Sequence, residues 1–312
     1  MAQMHTVRLH HYGAADELIY EETQRPEPHA GETLVHVRAA GVNPVDWKTR
    51  QGWGARPGDL DTPIILGWDI AGVVDAIGAD VDQFSPGDEV FGMVRFPEFG
   101  KAYAEYVAAP ASDLVRKPAT LSFAEAAAAP LVTLTAWQAL FETAHLEANQ
   151  TVLIHAAAGG VGHIATQLAK WRGARVIGTA SAHNADFLRR LGVDQVIDYT
   201  HERFEDAVRA VDVVLDTQGR AIQERSFAVL KPGGVLVSIT DAPDEALAQT
   251  YGVKTARIRV QPNGEQLAEI AQLFATGKLY VEIARTFPLS AAADAHRLGE
   301  KGHTRGKIVL LP

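Results

Sequence analysis

The run from Val152 through His155, Ala156, Ala157 and Ala158 to Gly159, Gly160, Val161 and Gly162 is where residue types and spacing most directly imply chemistry. An apolar strand pattern enters a turn of small residues, and a helix pattern opens behind it. Binding a pyrophosphate needs a tight turn, backbone free of side chains where the phosphates approach, and a helix N-terminus aimed at them. Gly159 and Gly160 supply the approach, Val161 opens the helix, and Gly162 permits close helix–strand packing. Ala157 stands where the common pattern has its first glycine. A plain strand–turn–helix corner is the competing reading. The five strand patterns that follow argue against it.

A site for NAD carries Asp or Glu about 20 residues further on, at the end of the second strand. Here that place reads Ile177, Gly178, Thr179, Ala180, Ser181. Small residues and a hydroxyl leave room for a 2′-phosphate and do not repel it, so the expected cofactor is NADPH rather than NADH. Ser181 is the candidate contact, with Tyr199, His183 and Arg189 as possible neighbours. The bland alternatives are an N-cap role for Ser181 and a half-buried loop position for Tyr199.

Composition narrows the rest. The chain has no cysteine, which excludes disulfides, thiolate nucleophiles, iron–sulfur clusters and Cys-ligated zinc. The 12 histidines show no ligand spacing, so no metal is expected. Lys and Arg number 29 against 38 Asp and Glu, a formal charge of −9, which argues against coating nucleic acid. The first 22 residues hold no long apolar core and do not read as a secretory signal. Of two stretches without Asp, Glu, Lys or Arg, 126–141 is shorter than the ~20 residues a membrane span needs. The other, 148–169, is interrupted by the glycines and by His155 and His163. The reading is a cytoplasmic chain without a membrane span.

These sites need elements to hold them. The 312 residues suggest two domains. The first third is strand-rich (33–42, 70–77, 103–108), with Gly and Pro between the runs and a short helix at 45–50; this suggests a compact barrel or sandwich. The pattern changes near Leu121. Ser122 and Glu125 form a capping box, and a further helix is read over 131–143. Six apolar strands follow at 152–156, 175–179, 195–198, 211–215, 235–239 and 255–260. Helices lie between the first five at 161–172, 184–191, 204–208 and 221–230. Such alternation implies a doubly wound parallel sheet in an α/β fold. The tail reads as helix 266–276, strand 283–287, helix 291–298 and strand 306–311. One reading returns it to the first domain. The edge strand 255–260, rich in β-branched residues, suggests a homodimer.

Taken together, six segments resemble the zinc-independent quinone oxidoreductase and enone (alkenal) reductase branch of the medium-chain dehydrogenase/reductase superfamily. They are 40–46 with Asn43, Pro44 and Asp46; 66–74 with Gly67, Trp68 and Asp69; 85–92 with Pro86, Gly87 and Asp88; 134–137 with Thr135; 156–162; and 305–309 with Arg305. The resemblance covers essentially the whole chain. It implies a GroES-like β-barrel catalytic domain from 1–120 and 263–312, a Rossmann domain from 121–262, and an active site in the cleft between them.

Zinc-dependent relatives carry a cysteine ligand at the place of Asn43 and a histidine ligand at that of Trp68, so the resemblance implies metal-free hydride transfer to a quinone or an α,β-unsaturated carbonyl. The Tyr usual in the bacterial and lens quinone reductases is Lys48 here, as in the alkenal and enone oxidoreductases. The branch's lysine for the 2′-phosphate is not evident; His183 and Asn184 lie there.

By resemblance, Asn43 and Lys48 are the catalytic candidates, as donors to the developing enolate oxygen. Asn43 could instead be a turn residue, and Lys48 a solvated helix lysine or a cofactor contact. Asn43, Pro44 and Thr135 fall at the nicotinamide end, as do Ser238, Ile239 and Thr240, which end the fifth strand. Thr217 falls on the adenine side and Arg305 near the phosphates. A low-activity NADPH-binding structural or regulatory protein of the same fold stays open as the alternative.

Overall fold

The computed structural model describes residues 2–55 and 63–312. The chain divides into two compact units, one of Met1–Leu131, Gln261–Gly277 and Val281–Pro312, the other of Val132–Val260 and Lys278–Tyr280.

The first unit begins with β1 (Gln3–Leu9) and β2 (Leu18–Gln24), paired antiparallel. Its main sheet is centred on β3 (Glu32–Val42). After β3 come α1 (Pro44–Arg50) and β4 (Ile64–Ile65), then β5 (Asp69–Ile77), β6 (Glu89–Met93), β7 (Tyr106–Pro110) and β8 (Leu114–Arg116). β3 pairs antiparallel with both β5 and β7. Two register shifts along the β3–β5 pair, at Leu34/Val35 and Val37/Ala39, bend the sheet. One face buries Val35, Val37, Ile70, Val90 and Leu310.

The helix α2 (Phe123–Ala128) has the expected capping box: the Glu125 N–H donates to Ser122 Oγ (3.2 Å) and the Ser122 N–H to Glu125 Oε2 (2.8 Å). Such a cap contributes about 1 kcal/mol. The sequence pattern places this helix in the nucleotide-binding domain, from residue 121. It instead lies on the first unit, because a Cβ at Gly41 would come 2.3 Å from Ala127 O. Only glycine in β3 lets the alanine-faced helix this close, and Ala126, Ala127 and Ala128 are buried there.

The chain enters the second unit within α3 (Pro130–Trp137), which continues as a π-helical turn over Gln138–Thr143. Then β9 (Thr151–Ile154), α4 (Gly160–Trp171), β10 (Arg175–Ala180), α5 (Ala185–Arg190), β11 (Gln195–Asp198), α6 (Phe204–Ala207), β12 (Val211–Asp216), α7 (Arg220–Ser226), β13 (Leu230–Ser238), α8 (Glu245–Thr250) and β14 (Lys254–Arg257) alternate. The sheet is parallel throughout, ordered β11-β10-β9-β12-β13-β14. The strand order reverses between β9 and β12, and ligands of such sheets bind outside the strands' carboxyl ends at that point. The sequence patterns contain no sign of α8, a short helix started by Asp244, whose Oδ1 accepts from the Leu247 N–H (2.9 Å).

In the tail, α9 (Gly264–Ala275) is capped by Asn263 and stopped at Gly277, whose φ is 67°. After it come β15 (Ile283–Pro288), α10 (Ala292–Glu300) and β16 (Lys307–Leu311). β16 pairs antiparallel with β3, Ile308 opposite Val42. This pairing sets Lys307 beside Asn43.

Candidate active-site residues in the two units

At the end of β9 the chain turns through Ala156, a non-glycine residue in the left-handed region (φ 46°). That conformation costs of the order of 1–3 kcal/mol and persists only where its surroundings fix it. The Ala157 N–H donates to Thr179 O (2.9 Å) and the Ala156 N–H to Thr179 Oγ1 (3.2 Å). α4 then begins behind Gly159, and no side chain caps it. The N–H groups of its first turn, which have no partner within the helix, and the dipole's roughly +0.5 charge suit an anion.

A Cβ on Gly162 would come 2.3 Å from Ala156 O, so the helix touches the turn. A Cβ on Gly178 in β10 would come 2.8 Å from that of Ala157. The glycine missing from the turn at Ala157 is thus supplied by the neighbouring strand. Gly159, Gly160 and Val161 remain half-exposed. Small residues, an uncapped helix end and an open face fit a pyrophosphate.

Ser181 follows β10. Its Oγ lies 3.0 Å from His183 Nδ1 and accepts from Asn184 Nδ2 (3.3 Å). Tyr199 is 49% exposed. A carboxylate does stand nearby: Asp198 of β11 is in register with Ala180. It is turned onto Thr200 Oγ1 (2.7 Å) and His201 Nδ1 (2.7 Å), and these hydrogen bonds hold its pKa below the usual carboxylate range.

A buried carboxylate that no sequence motif singled out, Asp216, organises the ends of β12 and β13. Its Oδ1 accepts from the N–H groups of Gln218 (2.9 Å) and Gly219 (2.8 Å). Its Oδ2 accepts from Gln223 Nε2 (2.9 Å) and Ser238 Oγ (2.8 Å). The Ile239 N–H donates to Asp216 O (3.1 Å), and the Thr240 N–H to Ser238 Oγ (3.2 Å). Thr217 Oγ1 donates to His155 O (2.7 Å). The candidates Thr217, Ser238, Ile239 and Thr240 are therefore brought to one set of strand ends. The hydroxyls of Thr217 and Ser238, however, already serve the protein. Thr135 is buried within α3.

In the first unit, Asn43 is fully buried ahead of α1. Its Nδ2 donates to Asp69 Oδ2 (2.9 Å), its Oδ1 accepts from Lys307 Nζ, and its N–H donates to Asp46 Oδ2 (2.5 Å). The amide that resemblance aimed at a substrate oxygen has protein partners on both its atoms. Lys307 also donates to Val42 O (2.7 Å), and Asp69 Oδ1 accepts from the Leu131 N–H (2.9 Å). Asp46 takes a further hydrogen bond from Tyr103 OH (2.9 Å), which lies 3.0 Å from His296 Nε2.

Burial raises Asp46 to about 7 and Asp69 to about 6, against the pull of Lys307. It lowers Lys307, against the pull of Asp69 and Asp46, and lowers His296 to about 3. Sequence reasoning named Asn43 and Asp46 but missed Tyr103, His296 and Lys307, whose partners lie far away in the chain.

Lys48 is half-buried on α1, with Nζ 5.2 Å from the Trp53 ring centroid. Pro44 is exposed at the first position of α1, where its missing N–H costs nothing. Arg305, expected near phosphates, donates through Nε to Glu282 Oε1 (3.0 Å).

Residues 29–119 match the family model described as alcohol dehydrogenase GroES-like domain, and residues 191–310 the one described as zinc-binding dehydrogenase. An NADPH-dependent alkenal/one oxidoreductase, chloroplastic, of Arabidopsis thaliana is 35% identical over 96% of this chain and 78% of its own. A quinone oxidoreductase from Coxiella burnetii is 38% identical over the whole of both chains, with a TM-score of 0.93. The chain belongs to the quinone oxidoreductase and enone reductase branch of the medium-chain dehydrogenase/reductase superfamily. In the same comparison, the Escherichia coli quinone oxidoreductase complexed with NADPH is 31% identical over the whole of both chains, with a TM-score of 0.90.

Membership in this superfamily fixes the fold as a GroES-like unit with a Rossmann unit. It does not by itself bring zinc. At the two ligand positions of its zinc-dependent members this chain has the enclosed Asn43 amide and the buried Trp68, whose indole donates to Glu98 O (2.5 Å). Among the described residues no group of three or more His, Asp or Glu is arranged to hold a metal ion, and no helix is long and apolar enough to cross a membrane.

Proposed function

We propose that this protein is an NADPH-dependent, metal-free reductase of quinones or α,β-unsaturated carbonyls. The observation that carries the reading is the uncapped N-terminus of α4 behind a turn closed to side chains, with Ser181 rather than a carboxylate directly after β10. The names of the relatives, an NADPH-dependent alkenal/one oxidoreductase and quinone oxidoreductases, point the same way.

When bound, NADPH would supply the hydride. The N–H groups of Gly160, Val161 and Gly162 would hold its pyrophosphate. Ser181 and Tyr199 are the groups we assign to the 2′-phosphate, and Thr217, Ile239 and Thr240 to the walls at the strand ends. In the first unit, Lys48 is the donor to the substrate oxygen as charge develops there. Asn43 is the residue that keeps α1, and so Lys48, in place through Asp46, Asp69 and Lys307. A conjugated acceptor suits this equipment, because its own carbonyl polarises the carbon that is reduced.

The chain is further proposed to form a homodimer through the edge strand β14 and to work in the cytoplasm.

The test is a panel of quinones, enals and enones with NADPH and with NADH, read as loss of reduced-cofactor absorbance, alongside direct binding of each cofactor. Turnover with NADPH supports the reading. Tight NADPH binding without turnover on any acceptor leaves a nucleotide-binding structural or regulatory protein, and equal or tighter binding of NADH overturns the cofactor choice.

A further inference from the structure

Behind the glycine turn, His155 is buried with both ring nitrogens occupied: Nδ1 lies 3.2 Å from Thr179 Oγ1 and Nε2 lies 2.9 Å from Ser226 Oγ. The directions of these bonds follow from counting protons. Ser226 gives its one hydroxyl proton to Ile222 O (2.6 Å), so toward His155 it can only accept. Nε2 therefore carries the imidazole proton, and Nδ1 is a lone pair. Thr179 must then donate to Nδ1. Its oxygen stays turned to the Ala156 N–H (3.2 Å), the amide of the one left-handed residue in the turn.

The hydrogen bonds run in one direction only, from Ala156 N–H to Thr179 to His155 to Ser226 to Ile222. A charged imidazole would reverse the bond from Thr179. Burial lowers the pKa of His155 to about 4, which keeps it neutral; Asp216 and Glu205 work against that shift and Arg225 with it. Phe204 closes the site edge-on at 4.8 Å between ring centroids.

We propose that Thr179, His155 and Ser226 are positioning residues for the cofactor: by fixing the Thr179 hydroxyl in one orientation they hold Ala156 left-handed, and so aim the amides of the turn at a pyrophosphate. This rests on the reading of the turn as the NADPH site. It goes beyond that reading by assigning the geometry of the turn to side chains that touch no ligand.

The consequence is specific. The pyrophosphate is common to NADPH and NADH, so loss of the relay must weaken both by the same factor and leave the chemical step alone. Thr179→Val keeps the shape and removes the hydroxyl. It is expected to raise Kd for both cofactors about 3- to 10-fold, the range of one hydrogen bond, with kcat at saturating NADPH nearly unchanged. Thr179→Ser should bind like the parent. In ¹⁵N-histidine spectra of the intact protein, His155 should show the Nε2–H form, and Ser226→Ala, which leaves that proton without an acceptor, should shift it.

Parent-like cofactor binding by Thr179→Val, a loss confined to NADPH, or an Nδ1–H form of His155 in the parent would each overturn the proposal while the NADPH reading stands. A parent protein that binds neither cofactor would overturn that reading and this proposal with it.

Discussion

The ammonium group of Lys307 donates a hydrogen bond to the side-chain oxygen of Asn43, 264 residues away in the chain. The contact exists because β16 pairs with β3, which brings the tail strand to the mouth of α1. Asp69 holds the other side of the same amide (2.9 Å) and supplies charge opposite Lys307. Asp69 and Lys307 are both buried and attract each other across the Asn43 amide, and opposite buried charges are poorly served by one partner alone. Lys307→Met removes the donor to Asn43 Oδ1 and Val42 O and leaves Asp69 without this counter-charge. A loss of about 3–5 kcal/mol in denaturant unfolding is expected. Adding Asp69→Asn should recover part of that loss; strict additivity would show that the two do not interact.

The pH dependence has a definite sign. Burial raises Asp46 from 3.8 to about 7 and Asp69 from 3.8 to about 6, so the folded chain holds protons that the unfolded chain has released. Their contribution to stability is fully present below the unfolded value and is lost as pH rises through the folded ones. Each proton gives a slope of about 1.4 kcal/mol per pH unit. Asp46→Asn should therefore match the parent below about pH 4, apart from its changed hydrogen bonds, and should gain on it by one such slope between about pH 4 and 7, where only the parent loses stability. Carboxylates held low, such as Glu205 at about 2 beside Arg225, act in the opposite sense in both proteins. The difference between variant and parent, from unfolding curves across that window, is thus the quantity to measure. A difference that does not vary with pH would show Asp46 to be an ordinary acid.

Lys48 provides the test of chemistry. If its ammonium stabilises a developing oxyanion, Lys48→Ala should lower kcat by roughly 10²–10³, as loss of such a donor does elsewhere. NADPH binding should persist. Weakened cofactor binding with a normal saturated rate would move Lys48 to the cofactor. For Asn43→Ala the expectation is different: with its amide enclosed between Asp69 and Lys307, it should first lower the stability of the first unit, and its rate loss should follow from displacement of α1.

What the sequence could reveal follows from how local each signal is. β9, β10 and β12 are buried on both faces, so they read as continuous apolar runs, and the turn after β9 is written in consecutive residues. The capping box of Ser122 and Glu125 was legible for the same reason, yet the side on which its helix lies was not. That depends on Gly41, far upstream, admitting Ala127 O. The cluster around Asn43 was legible in Asn43 and Asp46, and in Asp69 only as part of a motif, because Asp69, Tyr103, His296 and Lys307 come from four separate segments. His155 sat in plain view inside the motif. Its role depends on Thr179 and Ser226, which only the parallel sheet and α7 bring to it.

Ala157 and Gly178 form a pair that can be tested by exchange. With Ala157 in the turn, Gly178→Ala would force two methyl groups to 2.8 Å. Overpacking of this size costs about 1–3 kcal/mol, and here it presses on the turn itself, so both stability and cofactor affinity should fall. Ala157→Gly alone should be mild, since it restores the common glycine and leaves only a small gap. The double variant, with the methyl moved from turn to strand, should regain most of what Gly178→Ala lost. Thermal unfolding and NADPH affinity of the four proteins decide it. A double variant no better than Gly178→Ala would mean that the clash lies elsewhere along β10, for instance toward Val193, whose Cγ1 is the next nearest atom at 3.5 Å.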